Sequence, residues 1–433
     1  MKNKQRQTLL LLFLPMLAVL VYNLPLVKSR LDWRLTEWRA ELKYFLSPPE
    51  QVVFQPMQQA NVQPTITEPR IQSAPSITTT LPQVTPTPGP SITAAVSALP
   101  TTTPTLLPQS IQLTGVRYER QGWNNCGPAT LAMALSFWGW KGDQYKIAPL
   151  TKPNTQDKNV MPYEITDYVN SETDYRALSR AAGDLPLLKR LIASGFPVMI
   201  EKGFEGVKFD GWMGHYELIT GYDDSSGRFT AQDSYMGRNL QLSYSVIESY
   251  WRAFNDTYII VFPSDRENEV MAILGPQADE GYNRQYAAQK ASDEISTLSG
   301  RDQFFALFNR GTSLVALLEY QEAAKAYDKA FALYPTIPEK ERPWRMMWYQ
   351  TGPYWAYYYT GRYQDVVDLA TKTLENMSEP ILEESFYWRG LAYEALEKRE
   401  KAIQDFQTSL KVHTGFQPSV EQLKRLGIKV KSP

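Results

Sequence analysis

Residues able to act as nucleophile or base near neutral pH are scarce in this chain: one cysteine, Cys126, and two histidines, His215 and His413, in 433 residues. A single cysteine excludes an intrachain disulfide and a cysteine-rich zinc site. Any Cys–His chemistry must pair Cys126 with one of the two imidazoles. That chemistry needs a base within hydrogen-bond reach of the thiol and a third group that orients the base. Asp233 follows His215 at a distance in sequence that a hairpin can close, so its carboxylate could fix the imidazole and stabilise its charged form. Gln121 stands five residues before Cys126. Its amide could join the Cys126 backbone N–H in stabilising a tetrahedral oxyanion.

The elements around these residues suit those roles. The stretch IQLTGVRYERQGWNNCGPATLAMALSFWGW alternates, turns through 122–125, and then becomes helical, with Leu131, Ala132, Leu135 and Trp138 on one face. Cys126 therefore opens a helix, where the dipole and free N–H groups favour the thiolate. PLLKRLIASGFPVMIEKGF reads as an amphipathic helix, a Gly195 turn and a buried strand at 197–201. In GHYELITGYDDSSGRFTAQDSYMG, strands near 215–222 and 228–233 flank a turn. His215 opens the first strand and Asp233 closes the second. Glu217, two residues on, shares the His215 face and is an alternative partner with a more structural cast. His413 follows a helical repeat near the far end and reads as a surface residue. Each residue also has an ordinary reading: a small buried thiol, a satisfied polar histidine, a turn-capping aspartate.

With Gln121, NNCGPATLAM, GFPVMI, GHYELITGYDD and QDSY in place, residues 111–265 resemble the double-glycine leader peptidase family, family 39 of the papain-like cysteine peptidases, in its stand-alone branch. The resemblance implies an α+β papain-like fold with Cys126 as nucleophile, His215 as base, Asp233 as orienting acid and Gln121 as oxyanion donor. Bacteriocin-processing members place the glutamine one residue farther ahead and often have Asp where Asn125 stands. They also carry an ATPase, whereas no G-x-x-x-x-G-K-[ST] loop occurs here, so their substrate is not transferred.

The amino end carries Lys2, Lys4 and Arg6 in a basic stub (1–7), and then 20 uncharged residues, 8–27. Such a run spans about 30 Å as a helix, the thickness of a bilayer core. It ends Leu24-Pro25-Leu26-Val27-Lys28, without the small-x-small site of a cleaved signal, and so reads as a transmembrane signal anchor. Lys28, Arg30 and Arg34 weaken the positive-inside bias. Residues 31–46 form an amphipathic pattern, with Leu31, Leu35, Trp38, Leu42 and Phe45 on one face, expected to lie at the membrane interface. Residues 47–110 read as a disordered Pro/Thr-rich linker: 48–108 hold 13 Pro, 12 Thr and three charges. Fully extended it reaches about 190 Å, which would hold the globular part at a distance from the anchor.

Residues 280–433 contain a repeat. Gly311, Leu314, Ala323, Tyr327, Ala330 and Pro335 mark one copy, Phe386, Gly390, Tyr393, Ala402, Phe406 and Ser409 mark the third, and a weaker middle copy falls at Tyr357, Val366 and Ala370. The pattern resembles the tetratricopeptide repeat, with helices near 282–300 and 417–428 as caps. The aromatic run from Trp344 to Tyr359 exceeds what a core needs, so part of it could bind a partner, though most reads as core.

With 45 basic and 46 acidic residues the net charge is -1, which disfavours nucleic-acid binding. Nothing points to a cofactor or metal. The combined expectation is a single-pass cell-membrane protein whose globular domains face the extracytoplasmic side. It would be a papain-like cysteine hydrolase acting on a peptide or protein, with the repeats recruiting a protein partner. The alternative is a catalytically silent papain-like module that serves with the repeats as a scaffold, favoured by the ease with which an external thiol oxidises.

Overall fold

The structure is a computed structural model that describes residues 35, 38–49, 52–57, 107–154, 156–157, 159–205 and 211–430. The anchor read at 8–27 and the stub before it lie outside the described residues. Among the described residues no helix is long and apolar enough to cross a membrane.

The first globular unit is α+β. A seven-stranded antiparallel sheet runs in the order β2 (Tyr175–Arg180), β7 (Tyr258–Pro263), β3 (Val198–Glu205), β4 (Trp212–Asp223), β5 (Arg228–Asp233), β6 (Gly237–Ser243). A short β1 (Ser110–Gln112) pairs with the end of β4. Alternation along the central strands makes two cores. Met199, Leu218, Ile259 and Val261 meet helices α2 (Cys126–Phe137), α3 (Gln144–Thr151) and α4 (Pro162–Glu172) on one face. Ile200, Ile219, Ile260 and Phe262 meet α5 (Leu185–Ala193), α6 (Tyr244–Trp251) and α7 (Glu267–Leu274) on the other. Strand β4 begins at Trp212, earlier than the 215–222 pattern suggests, because Trp212 is buried and stays in register with Glu205.

The second unit is helical. After α8 (Glu280–Thr297) come three antiparallel pairs: α9 (Gly300–Ala316) with α10 (Tyr320–Leu333), α12 (Gly352–Tyr359) with α13 (Tyr363–Asn376), and α14 (Glu383–Ala395) with α15 (Arg399–Val412). A single turn, α11 (Met346–Tyr349), precedes the second pair, and α16 (Gln417–Arg425) follows the third. In the first and third pairs a glycine faces an aromatic of the partner helix: a Cβ on Gly311 would come within 2.6 Å of Tyr327, and one on Gly390 within 2.7 Å of Phe406. Of the aromatic run, Trp344, Trp348, Tyr349, Tyr354 and Tyr357 are buried, and only Trp355 and Tyr359 are exposed.

The two units share a core. Trp212, Ala253 and Phe254 of the sheet domain belong to the same apolar cluster as the repeat helices. Hydrogen bonds cross the seam from Asn309 to the Arg252 carbonyl (2.7 Å), from Gln350 to the Ala253 carbonyl (2.8 Å) and from Arg345 to the Trp212 carbonyl (2.9 Å).

The chain before the sheet domain does not simply hold that domain at a distance. Residues 38–46 are helical (α1) and lie on the repeat domain, and residues 52–57 follow as an extended strap. Phe54 is buried edge-on to Phe331, with ring centroids 4.9 Å apart. Lys372 donates to the Val53 carbonyl at 2.7 Å, and the Met57 N–H donates to Asp365 at 2.8 Å. Composition reads 47–110 as linker, but one aromatic side chain and two backbone hydrogen bonds are enough to seat its first part.

Candidate active site

The NNCGPA block builds a helix start pressed against the sheet. Asn124 takes a left-handed conformation (φ 50°), which asparagine tolerates, and Asn125 leads into α2, whose first residue is Cys126. Gly127 permits close approach: a Cβ there would lie 3.2 Å from Val160. Pro128 falls in the first turn, where its missing N–H costs no helical bond. Thr130 then donates to the Tyr216 carbonyl at 3.2 Å, fixing α2 against β4.

His215, near the start of β4, is reached by this helix end. It hydrogen-bonds the half-buried Cys126 with one ring nitrogen. Its Nε2 lies 3.0 Å from Asp233 Oδ1. Both His215 and Asp233 are buried, at 4% and 1% exposure. Asp233 Oδ1 is held in turn by the backbone N–H groups of Tyr235 (2.7 Å) and Met236 (2.8 Å). The Phe204 ring stacks on the imidazole with centroids 4.8 Å apart.

The electrostatics favour a separated charge pair. Burial pushes the Cys126 thiol up, but the hydrogen bond and charge of His215, the Tyr216 backbone and Lys152 outweigh it, leaving the thiol below its ordinary value. Burial pulls His215 down, yet the charge and hydrogen bond of Asp233, with Cys126, raise it to about 10. Burial also pushes Asp233 up, and the charge and hydrogen bond of His215 with further donors overcome this, taking it to about 2. A thiolate–imidazolium pair beside an ionised carboxylate is the form that attacks carbonyl carbon.

Gln121 lies beside this group. Its Oε1 accepts from the Ser234 hydroxyl at 2.9 Å, and its backbone N–H donates to the Ser234 carbonyl at 2.9 Å. With Oε1 committed, the amide nitrogen is the half of the side chain free to donate to an oxyanion.

The geometry therefore brings Cys126, His215 and Asp233 into direct contact and holds Gln121 through Ser234. Glu217 goes elsewhere: it is fully buried and pairs with Lys202 Nζ at 2.9 Å, so it does not serve His215. His413 is a correction to the surface reading. It is 15% exposed, and its Nδ1 lies 2.7 Å from Glu383, which also accepts from Asn154 of the sheet domain. A carboxylate one helix back holds the ring inside the domain seam.

Several contributors escaped the sequence reading. Gln144 is buried and pins the 122–125 turn. It accepts from the Gly122 N–H (2.6 Å) and Asn125 Nδ2 (2.8 Å), and donates to Glu119 and the Arg120 carbonyl (2.8 Å each). Lys152, also buried, donates to the Asn124 carbonyl at 2.8 Å and adds positive charge near the thiol. Glu201 on β3 is raised well above the carboxylate range, first by burial and then by the charge of Cys126. Tyr349, from the repeat domain, stands edge-on to Trp212 and against Gly214, at the entry to the histidine strand. Only Ser234 had an available signal, its position directly after Asp233; the others depend on pairings distant in sequence.

Residues 113–259 match the model of the peptidase C39-like family, and residues 304–337 match that of the tetratricopeptide repeat. Among solved structures, the peptidase domain of Streptococcus ComA is 18% identical, over 35% of this chain and 100% of that one, with a TM-score of 0.29. Xylellain, a cysteine protease from Xylella fastidiosa, is 15% identical over 36% and 87%, with a TM-score of 0.29. MamA from Desulfovibrio magneticus RS-1 is 19% identical over 30% and 66%, with a TM-score of 0.25. No curated protein matches the chain.

Proposed function

We propose that this chain, which carries a peptidase C39-like domain followed by a tetratricopeptide repeat, is a membrane-anchored extracytoplasmic cysteine hydrolase of peptide bonds. The observation that carries the chemistry is the contact chain Cys126–His215–Asp233, with Nε2 3.0 Å from Oδ1 at the mouth of α2. The Cys126 thiolate attacks the scissile carbonyl carbon, and the oxygen takes up the negative charge. The Cys126 backbone N–H and the Gln121 amide donate to that oxygen. The His215 imidazolium gives its proton to the departing amine, which leaves a thioester on Cys126. Neutral His215 then takes a proton from water, whose oxygen attacks the thioester and releases the acid and the thiolate. Asp233 holds the ring and stabilises its charged form throughout.

The uncharged run 8–27 supports the anchor, and the Pro/Thr composition of the spacer supports an external location. The repeat domain suits recruitment of a protein partner. The test is the rate at which an iodoacetamide reporter alkylates Cys126 at pH 6 in the wild type and in His215→Ala. Faster labelling of the wild type by at least tenfold supports an activated thiolate, and equal rates overturn it.

A further inference from the structure

Helix α1 has two unlike sides, and the structure uses only one. Ala40, Lys43 and Tyr44, spaced three and four apart, turn toward the repeat domain. Lys43 Nζ donates to the carbonyls of Glu375 and Met377 at 2.5 Å each. The Tyr44 hydroxyl accepts from the Ser378 N–H at 3.2 Å, and its ring meets Trp344 edge-on at 5.2 Å. Arg39 pairs with Glu379 at 2.9 Å. The other side carries Trp38, Leu42, Phe45 and Leu46, exposed by 68%, 62%, 83% and 72%. These four are among the most exposed large apolar side chains described, and they form one stripe directed away from the protein.

We propose that this stripe seats in the headgroup–acyl boundary of a phospholipid bilayer, so that α1 lies flat on the membrane with the repeat domain clamped to its upper face. The occupant follows from the chain around the helix. The uncharged run 8–27 ends eleven residues before Trp38, a stretch that reaches at most about 40 Å. Whatever membrane holds that run is therefore presented to the stripe at high effective concentration. Trp and Phe beside Leu, flanked by Arg34 and Arg39, is the composition of an interfacial helix. The clamp continues past the helix: Phe54 and its neighbours fasten the strap to the same domain. The repeat domain, and the sheet domain joined to it, thereby sit at the bilayer surface. Residues 58–106 connect two places on one body, Met57 on the repeat domain and the start of β1, and do not set the distance to the membrane.

The proposal rests on the membrane-anchor part of the functional reading and is independent of catalysis. The test uses the full chain in a Cys126→Ser background, with single cysteines introduced as Leu42→Cys, Phe45→Cys or Glu400→Cys and carrying nitroxide labels. The protein is reconstituted into vesicles of phosphatidylcholine and phosphatidylglycerol. Expected are labels at 42 and 45 with a severalfold higher ratio of oxygen to water-soluble nickel-chelate collisions than the label at 400. Three results overturn the proposal: nickel accessibility at 42 and 45 equal to that at 400, dipolar broadening that marks a second copy on the stripe, or shielding from both reagents that marks a protein partner. Alkaline extraction of the same vesicles reports on the anchor separately. Protein that resists extraction while labels 42 and 45 stay water-exposed sinks the stripe and keeps the anchor; protein that is extracted sinks the anchor.

Discussion

His215 and His413 each meet a carboxylate at hydrogen-bond distance, 3.0 Å from Asp233 and 2.7 Å from Glu383, and both pairs are largely withdrawn from solvent. Their third partners differ. His215 has the Cys126 thiol on its other nitrogen, at the N-terminus of a helix and under a neighbouring lysine. His413 has the Phe416 ring beside it, and its carboxylate is shared with the amide of Asn154. A buried imidazole–carboxylate pair is thus not by itself a reactive site. In one region it stands beside the thiol on which the proposed chemistry rests; in the other it clasps a loop of the sheet domain to α14 and α15.

Breaking the comparison at its reactive end has the largest effect. Cys126→Ala is expected to abolish both alkylation and hydrolysis, and His215→Ala to cut hydrolysis by about 10²–10⁴, whereas His413→Ala leaves turnover within about twofold. Initial-rate measurements on purified variants decide it, and a matching loss in His413→Ala would dissolve the distinction. Asp233→Asn comes next. It keeps the ring neighbour but removes the charge that raises His215, so hydrolysis falls by about 10²-fold, and NMR titration should find the His215 value well below about 10.

The clasp shows itself in stability. His413→Ala leaves Glu383 buried without its ring partner and should cost about 1–3 kcal/mol in urea unfolding, with little change in alkylation rate. The His215–Asp233 pair also carries a pH dependence. His215 is raised to about 10, so its contribution is complete below an unfolded value of about 6.5 and is lost as pH rises through 10. Asp233 is lowered to about 2, so its contribution is present above about 3.9 and is lost as pH falls toward 2. The stability difference between wild type and His215→Ala should therefore be greatest between these limits and shrink on either side. The smallest effect is expected for Ser234→Ala, which frees the Gln121 amide to rotate. Hydrolysis drops by about three- to tenfold while alkylation, which forms no oxyanion, is unchanged.

Much of this site is legible in residue types alone. With one thiol, the nucleophile has a single candidate, and the alternating pattern after Gly214 places His215 on a strand with Asp233 closing the next. The reading loses hold where a contact joins distant positions. Ser234 orients Gln121 across 113 residues, and Gln144 shapes the turn before Cys126 from a separate helix. His413 looks exposed because its partner lies a helix away and Asn154 lies in the other domain. The strap looks like linker because proline and threonine dominate its surroundings, yet Phe54 finds an aromatic groove that no local pattern announces.

Chain order and side-chain chemistry by themselves determine which groups can react: the only thiol, a histidine and an aspartate on successive strands, and a helical repeat after them. Tertiary structure decides which of the two imidazoles receives the thiol and which becomes a clasp. It also decides that Glu217 is spent on Lys202, and that the repeat domain is fused to the sheet through Trp212 and Phe254. The physical reason is range. Periodicity and helix-start chemistry act within a few residues, whereas burial and hydrogen bonding between segments hundreds of residues apart exist only once the chain has packed.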